Sequence, residues 1–479
     1  MPESSSWSFD LSQYGTVWMV VVQIGLLLIF LLLGNALRRL IPFLRKGNVP
    51  SALIGGLLLF LLNIALEAAG IHIVEKRVMQ IITYHALAVG FIAMTLKNAK
   101  KDQKASVLAS FQNGALTGGT YMLQGFLGIL VSLIFFWIGG SMFYDAGVLL
   151  PLGFGQGPGN ALTWDINFTN MESNNFHGAG SVGLTIASIG FIVASIVGVI
   201  YINVLKHKNR ITIREAKNNV TLEKYEEEGE IDDSESVDKT TLQIALVIVA
   251  YAIAFGIMVL FAKISEWTGV SLFNSVAWGF NFIWGVIAAT IIKAIVNLLY
   301  KKKAVKRKYI NNYQMDRISG FAFDMMIAAG VAAIDIQVVA DYAWLILVLS
   351  LVGAISTFFY LHFICKVCFK GYEHEAFLTN FGALTGTASN GMIFLREVDP
   401  NYETPMNNVY VVSQLPAMIF VAPLLLLLNL SAESLTGCYI ALGIFVGLFI
   451  LYTVFLVLSG KGIIFKKKEA TPSEETPKE

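Results

Sequence analysis

The sequence predicts an all-α polytopic membrane protein of about 11 transmembrane helices, built as two inverted-topology five-helix repeats. Each repeat contains a Gly-rich re-entrant loop. Three observations predict this. First, 56% of the 479 residues are hydrophobic and 14% are charged, against about 25% charged in a soluble domain. Second, the apolar residues fall in continuous runs of about 20, the length that crosses a bilayer as helix. Third, the basic clusters fix the side on which each run begins and ends. A soluble enzyme, a disordered chain and a β-barrel of alternating polarity are thereby excluded. A nucleic-acid partner is excluded too, because net charge is only +1 and the basic residues sit in short groups.

The apolar spans are 16–38, 49–69, 78–96, 107–138 and 181–204, then 241–262, 274–299, 317–339, 343–365, 407–429 and 435–459. Basic clusters occur at Arg38/Arg39/Arg45/Lys46, Lys97–Lys104, Lys206–Lys224, Lys301–Lys308, Lys366/Lys370 and Lys461–Lys468. With all of these in the cytoplasm, only Lys76, Arg77 and Lys263 of the 34 basic residues lie outside. The N-terminus is then outside and the C-terminus cytoplasmic, in the plasma membrane. No basic region precedes the first span, so it is expected to be retained.

Parity decides two further segments. Span 107–138 leaves the cytoplasm, and span 181–204 must return to it at Lys206. The intervening segment, 146–168, therefore enters and leaves on the outside. By the same reasoning 376–396 enters and leaves on the inside. The chain divides into a first repeat (1–205), a charged cytoplasmic linker (206–240), a second repeat (241–430), and an extra helix with a polar, disordered tail (431–479). Ala86-Leu-Ala-Val-Gly90 is faintly echoed by Met326-Ile-Ala-Ala-Gly330. Inverted repeats are the mark of a secondary transporter.

The chemistry is expected at the re-entrant loops, because non-helical backbone is tolerated at membrane depth only beside protein or a wet cavity. The first loop contains Gly153, Gly155, Gln156, Gly157, Pro158, Gly159, Asn160 and Thr163. Four glycines and a proline within nine residues predict irregular backbone. Flanking helix N-termini favour anions, and unwound carbonyls suit cations. The second loop supplies Thr385, Gly386, Thr387, Ser389 and Asn390, with Gly382 as a carbonyl source. Gln124 in the fourth span adds an amide.

Acids inside a membrane cost roughly 2.5–3.5 kcal/mol on insertion scales, so Asp324 and Asp335 are cation-site candidates. On one continuous span, 317–339, they would share a face. His85 is expected as a neutral histidine bonded to a backbone carbonyl, and Arg396 as a cytoplasmic anchor or a carboxylate clamp. Cys365 and Cys368 read as small residues near a helix end. No phosphate-binding loop, metal-ligand spacing or nucleophile–base pair occurs, so neither an enzyme nor an ATP-driven pump is indicated.

Several of these segments resemble the bacterial sodium/glutamate symporters: Asn48-Val-Pro-Ser-Ala-Leu-Ile-Gly-Gly56, Gly153–Trp164, Ser181–Gly190 and Asn380–Gly391. Leu123-Gln124 with Gly128 fits the family's fourth helix, and the similarity runs over roughly residues 15–430. The resemblance implies ten helices in two inverted repeats, Na⁺ as coupling ion without another cofactor, glutamate as substrate, a homodimer, and an elevator-like motion in the lipid bilayer. The sequence departs from that pattern at Gln156, where the family has histidine, and at Asp324. Its second loop is also richer in Thr, Ser and Asn. Another amino acid, a 2-hydroxycarboxylate, or H⁺ coupling therefore remain alternatives, and an ion channel is the rival of a different class.

Overall fold

In the computed structural model, which describes residues 16–98, 106–139, 142–170, 176, 178–208, 238–400 and 403–463, the chain is about 85% helical. No strand occurs among the described residues. Most of the linker expected at 206–240, from 209 to 237, lies outside them, as does the tail from 464.

The first half runs α1 (Thr16–Leu40), the short α2 (Pro42–Lys46), α3 (Ser51–Ala68), α4 (Lys76–Leu96) and α5 (Val107–Gly139). A 3-10 turn (Ala146–Val148) and a π-helical turn (Leu150–Gly155) then lead to α6 (Pro158–Asn170) and α7 (Ala179–His207). The second half runs α8 (Lys239–Thr268), α9 (Ser271–Gly279), α10 (Asn281–Lys301), α11 (Asn312–Ala332), α12 (Ile336–Asp341) and α13 (Ala343–Cys368). It continues with α14 (Glu373–Leu384), α15 (Ala388–Val398), α16 (Met406–Glu433) and α17 (Leu435–Gly460).

Ten of the described helices are long and apolar enough to cross a membrane: α1, α3, α4, α5, α7, α8, α10, α13, α16 and α17. The protein is a multi-pass membrane protein. The expected span 317–339 is not among the ten. Its helix, α11, carries Asp316, Arg317 and Asp324 and stops at Ala332. Asp335 then caps α12, its Oδ1 accepting from the Gln337 N–H at 3.0 Å. A short carboxylate bonds neighbouring backbone N–H groups readily and so starts a helix better than it continues one. Asp324 and Asp335 therefore sit on different helices, and the shared face expected of them does not exist.

The Gly-rich run 153–159 also differs from expectation. Backbone outside helix is confined to Gln156 and Gly157. Pro158 opens α6, where its missing N–H leaves no bond unmade. The glycines on either side serve close packing. A Cβ on Gly153 would lie 2.5 Å from Gly183 O of α7.

Helix packing places the two breaks at the centre. α4 packs on α10 and α11, and α3 packs on α11. α5 packs on α13, α16 and α17, while α6 rests on α7 and α4. α14 folds back on α15 and also contacts α13 and α7. Small residues allow the closest approaches, as usual between membrane helices. On α5, a Cβ at Gly114 would lie 2.8 Å from Pro416 Cβ of α16, and one at Gly118 would lie 2.6 Å from Phe420 Cβ.

Candidate functional site

The chain leaves helical geometry at Gln156–Gly157 and again at Thr385–Thr387, and these breaks touch. Gly157 has φ +92°, and a Cβ there would lie 3.0 Å from Gly386 O and 3.2 Å from Thr387 Cγ2. α7 closes the pair from one side. Gly190 comes so near Thr385 O that a Cβ would overlap it, and Phe191 packs on Gly386.

Beside the breaks lies a cavity of about 110 Å³, well above the ~10–15 Å³ one water needs. The first break lines it with Gly155, Gln156 and Asn160, and the second with Asn380, Leu384 and Thr387. α5 contributes Thr117 and Tyr121, and α16 contributes Tyr410 and Gln414. Leu87, Phe91, Phe282 and Phe323 form the apolar wall. Among the described residues, no Asp, Glu, Lys, Arg or His lines it.

Polar groups here are only half satisfied. Gln124 Nε2 donates to Thr357 Oγ1 at 2.8 Å and to Leu384 O at 3.2 Å, which ties α5 to α13 and to the end of α14. Tyr121 donates its hydroxyl to Gly155 O at 3.3 Å. Thr385 Oγ1 donates to Phe381 O at 2.6 Å, and Thr163 Oγ1 to Gly159 O at 3.0 Å. Against these, Gln124 Oε1, Gln156 Nε2, Asn160 Oδ1, Asn380 Oδ1, Thr387 Oγ1 and Asn390 Nδ2 are buried without a hydrogen-bond partner. Buried polar atoms are normally paired. Such a cluster beside a cavity is an arrangement that a polar ligand would complete. α6 and α15 both begin at the breaks, and the first-turn N–H groups of a helix have no intrahelical acceptor. No side-chain cap bond is made by Thr387 at the start of α15.

Of the sequence-derived candidates, Gly155, Gln156, Asn160 and Thr387 line the cavity. Gln124, Gly157, Thr385, Gly386 and Asn390 stand directly behind it or at the contact between breaks. Gly159 packs on Leu87, and Thr163 lies further along α6. The side chain of Ser389 lies outside the described set.

The proposed cation residues are elsewhere. Gly382 sits within α14, where it lets that helix cross Gly391 of α15. Asp335 forms an ion pair with Lys76 at 3.0 Å, and its N–H donates to Ser181 Oγ at 3.0 Å. Asp324 is on the exposed face of α11 and does not line the cavity. Arg396 is exposed near the end of α15 and does not line the cavity. His85 meets the Tyr251 hydroxyl at 2.7 Å instead of a backbone carbonyl.

Sequence reasoning missed Tyr121, Tyr410, Gln414 and Thr357. Tyr410 and Gln414 are four residues apart in an apolar helix, a polar i,i+4 pair that could have marked the inward face of α16. Asn380 was visible only as the first residue of a motif.

A family model described as sodium/glutamate symporter matches residues 18–404. No curated protein matches the chain.

Proposed function

The chain belongs to the sodium/glutamate symporter family, and we propose that it imports glutamate, or a related amino acid or small carboxylate, together with Na⁺. The observation that carries this reading is the uncharged cavity at two opposed helix breaks, rimmed by unpaired buried amides and hydroxyls.

The N-termini of α6 and α15 would hold carboxylate groups through open N–H groups and the positive helix end. Backbone carbonyls at Gly155 and Leu384, where the preceding helical segments end, would face Na⁺. Coupling follows from charge. In a low-dielectric cavity without charged side chains, a lone carboxylate or a lone Na⁺ is costly. Bound together, each neutralises the other, so each raises the other's affinity by the same factor.

The inverted repeat is supported by reciprocal packing. The second span of each half (α3, α10) packs on the third helix of the other (α11, α4). The fourth spans, α5 and α13, are joined by Gln124 and Thr357. Asn160 and Asn390 are each the third residue of the helix leaving a break. In this reading both breaks are re-entrant loops, and their core moves against the remaining helices as an elevator. The homodimer, the plasma membrane, the outside N-terminus and the cytoplasmic C-terminus belong to the same reading.

Uptake of labelled glutamate into proteoliposomes tests it. Saturable uptake driven by an inward Na⁺ gradient, and lost when choline replaces Na⁺, is expected. Equal uptake without Na⁺ would remove the coupling, and no uptake by folded protein would remove glutamate.

A further inference from the structure

We propose that the side-chain oxygen of Asn380 receives a monovalent cation in the cavity and is aimed there by Asn113. The inference rests on the transport reading and adds the atom that takes the positive charge.

Both hydrogens on Asn380 Nδ2 are committed. One bond runs 2.9 Å to Ala376 O, one turn back in α14, and the other 2.8 Å to Asn113 Oδ1 of α5. A backbone carbonyl can only accept, so Ala376 dictates which end of the amide is nitrogen. Asn113 is held in the matching sense. Its own Nδ2 donates to Ser413 Oγ at 2.8 Å, and Ser413 donates onward to Tyr410 O at 2.8 Å. Turning Asn113 over would set two amide nitrogens against each other.

Asn380 Oδ1 is thus left fully buried and without a partner, in a residue that borders the cavity. Asn281 of α10 also joins helices through its Nδ2 and leaves its oxygen unpaired, but of the two only Asn380 borders the cavity. An amide oxygen has two lone pairs and no hydrogen, so what completes it is a donor or a metal ion. No Lys, Arg or His lines the cavity to supply a charged donor. A cation that completes it comes from solution, either as Na⁺ or as the ammonium group of an amino acid. Asn113, which does not line the cavity, is a positioning residue.

The test uses the full chain in detergent. Its thermal-unfolding midpoint is titrated with NaCl, with ionic strength held by choline chloride. Each titration is made alone, with L-glutamate, and with glutarate, which lacks the ammonium. A bound ligand raises the midpoint according to its concentration over Kd. If the cation is Na⁺, wild-type protein responds to Na⁺ with glutarate or with no organic ligand. If it is the ammonium, glutamate stabilises and glutarate does not.

In either case Asn380→Ala should abolish the response, and Asn113→Val should raise the half-saturating concentration about tenfold. Asn113→Asp, which keeps an acceptor for Asn380, should return it to near the wild-type value. Should Asn380→Ala fail to fold, the Asn113 pair decides. Titrations of Asn380→Ala and Asn113→Val that match wild type would overturn the proposal while leaving the transport reading intact. A wild-type protein that responds to none of the ligands would overturn the transport reading itself, and this proposal with it.

Discussion

At the scale of single residues, Gly157 holds the contact between the two breaks. Its φ of +92° and its tight approach to Gly386 O both disfavour a side chain. Left-handed backbone costs a non-glycine residue about 1–2 kcal/mol, and the contact adds to that. Gly157→Ala should reduce Na⁺-driven uptake at least about tenfold while the protein still inserts. Unchanged uptake kinetics would show that the breaks need not touch.

Two aspartates outside the spans respond to pH with opposite signs. Burial raises Asp335, but the Lys76 ammonium and the N–H groups of Gln337 and Val338 outweigh it, and the net shift is downward. Its contribution to stability is present above its unfolded pKa and lost as pH falls through the lowered folded value. Asp145, in the connection after α5, is fully buried. Burial raises it well above the usual carboxylate range, against the opposing bond from Ser431 Oγ at 2.9 Å. Folded protein keeps a proton that unfolded protein releases, so stability falls as pH rises from the unfolded pKa to the raised one. Asp145→Asn should flatten that fall and raise the midpoint at neutral pH, measured by thermal unfolding at several pH values. A steeper fall in the variant would contradict the assignment.

At the scale of elements, packing decides what propensity leaves open. Glycine and proline disfavour helix in isolation, yet Leu150–Gly155 is helical, because its glycines allow close contact with α7 and α5. The approach of α5 and α16 depends in the same way on Gly114 and Gly118. Gly114→Leu should push these helices apart and lower the thermal midpoint by several degrees, since overpacking costs about 1–3 kcal/mol. Exposed Gly256 of α8, where nothing lies within 4 Å of a new Cβ, should tolerate the same change. Equal loss at both positions would show that helix propensity, and not packing, is being measured.

At the scale of the whole molecule, a neutral cavity predicts reciprocal coupling. Saturating Na⁺ should tighten glutamate binding, and saturating glutamate should tighten Na⁺ binding by the same factor. Isothermal titration of each ligand with and without the other measures both factors. Glutamate binding independent of Na⁺ would mean that the cavity supplies its own counter-charge.

Hydropathy runs were enough to mark ten of the eleven expected spans, because a bilayer demands long apolar helices whatever their neighbours are. The same information located both breaks, since Gly-Gln-Gly-Pro and Thr-Gly-Thr-Ala interrupt helix locally. It could not place Asp324 and Asp335 in three dimensions, because cost of burial shows that an acid needs a partner but not which partner it has. Lys76, which pairs with Asp335, lies far from it in sequence. Likewise, no spacing along the chain reveals that Asn113, Asn380 and Ser413 form one directed relay. The sequence by itself determined the solvent this protein lives in and where its helices break, because both are local consequences of side-chain chemistry. Only the tertiary structure decided which polar atoms remain unpaired at the cavity, because pairing depends on helices hundreds of residues apart meeting at one point.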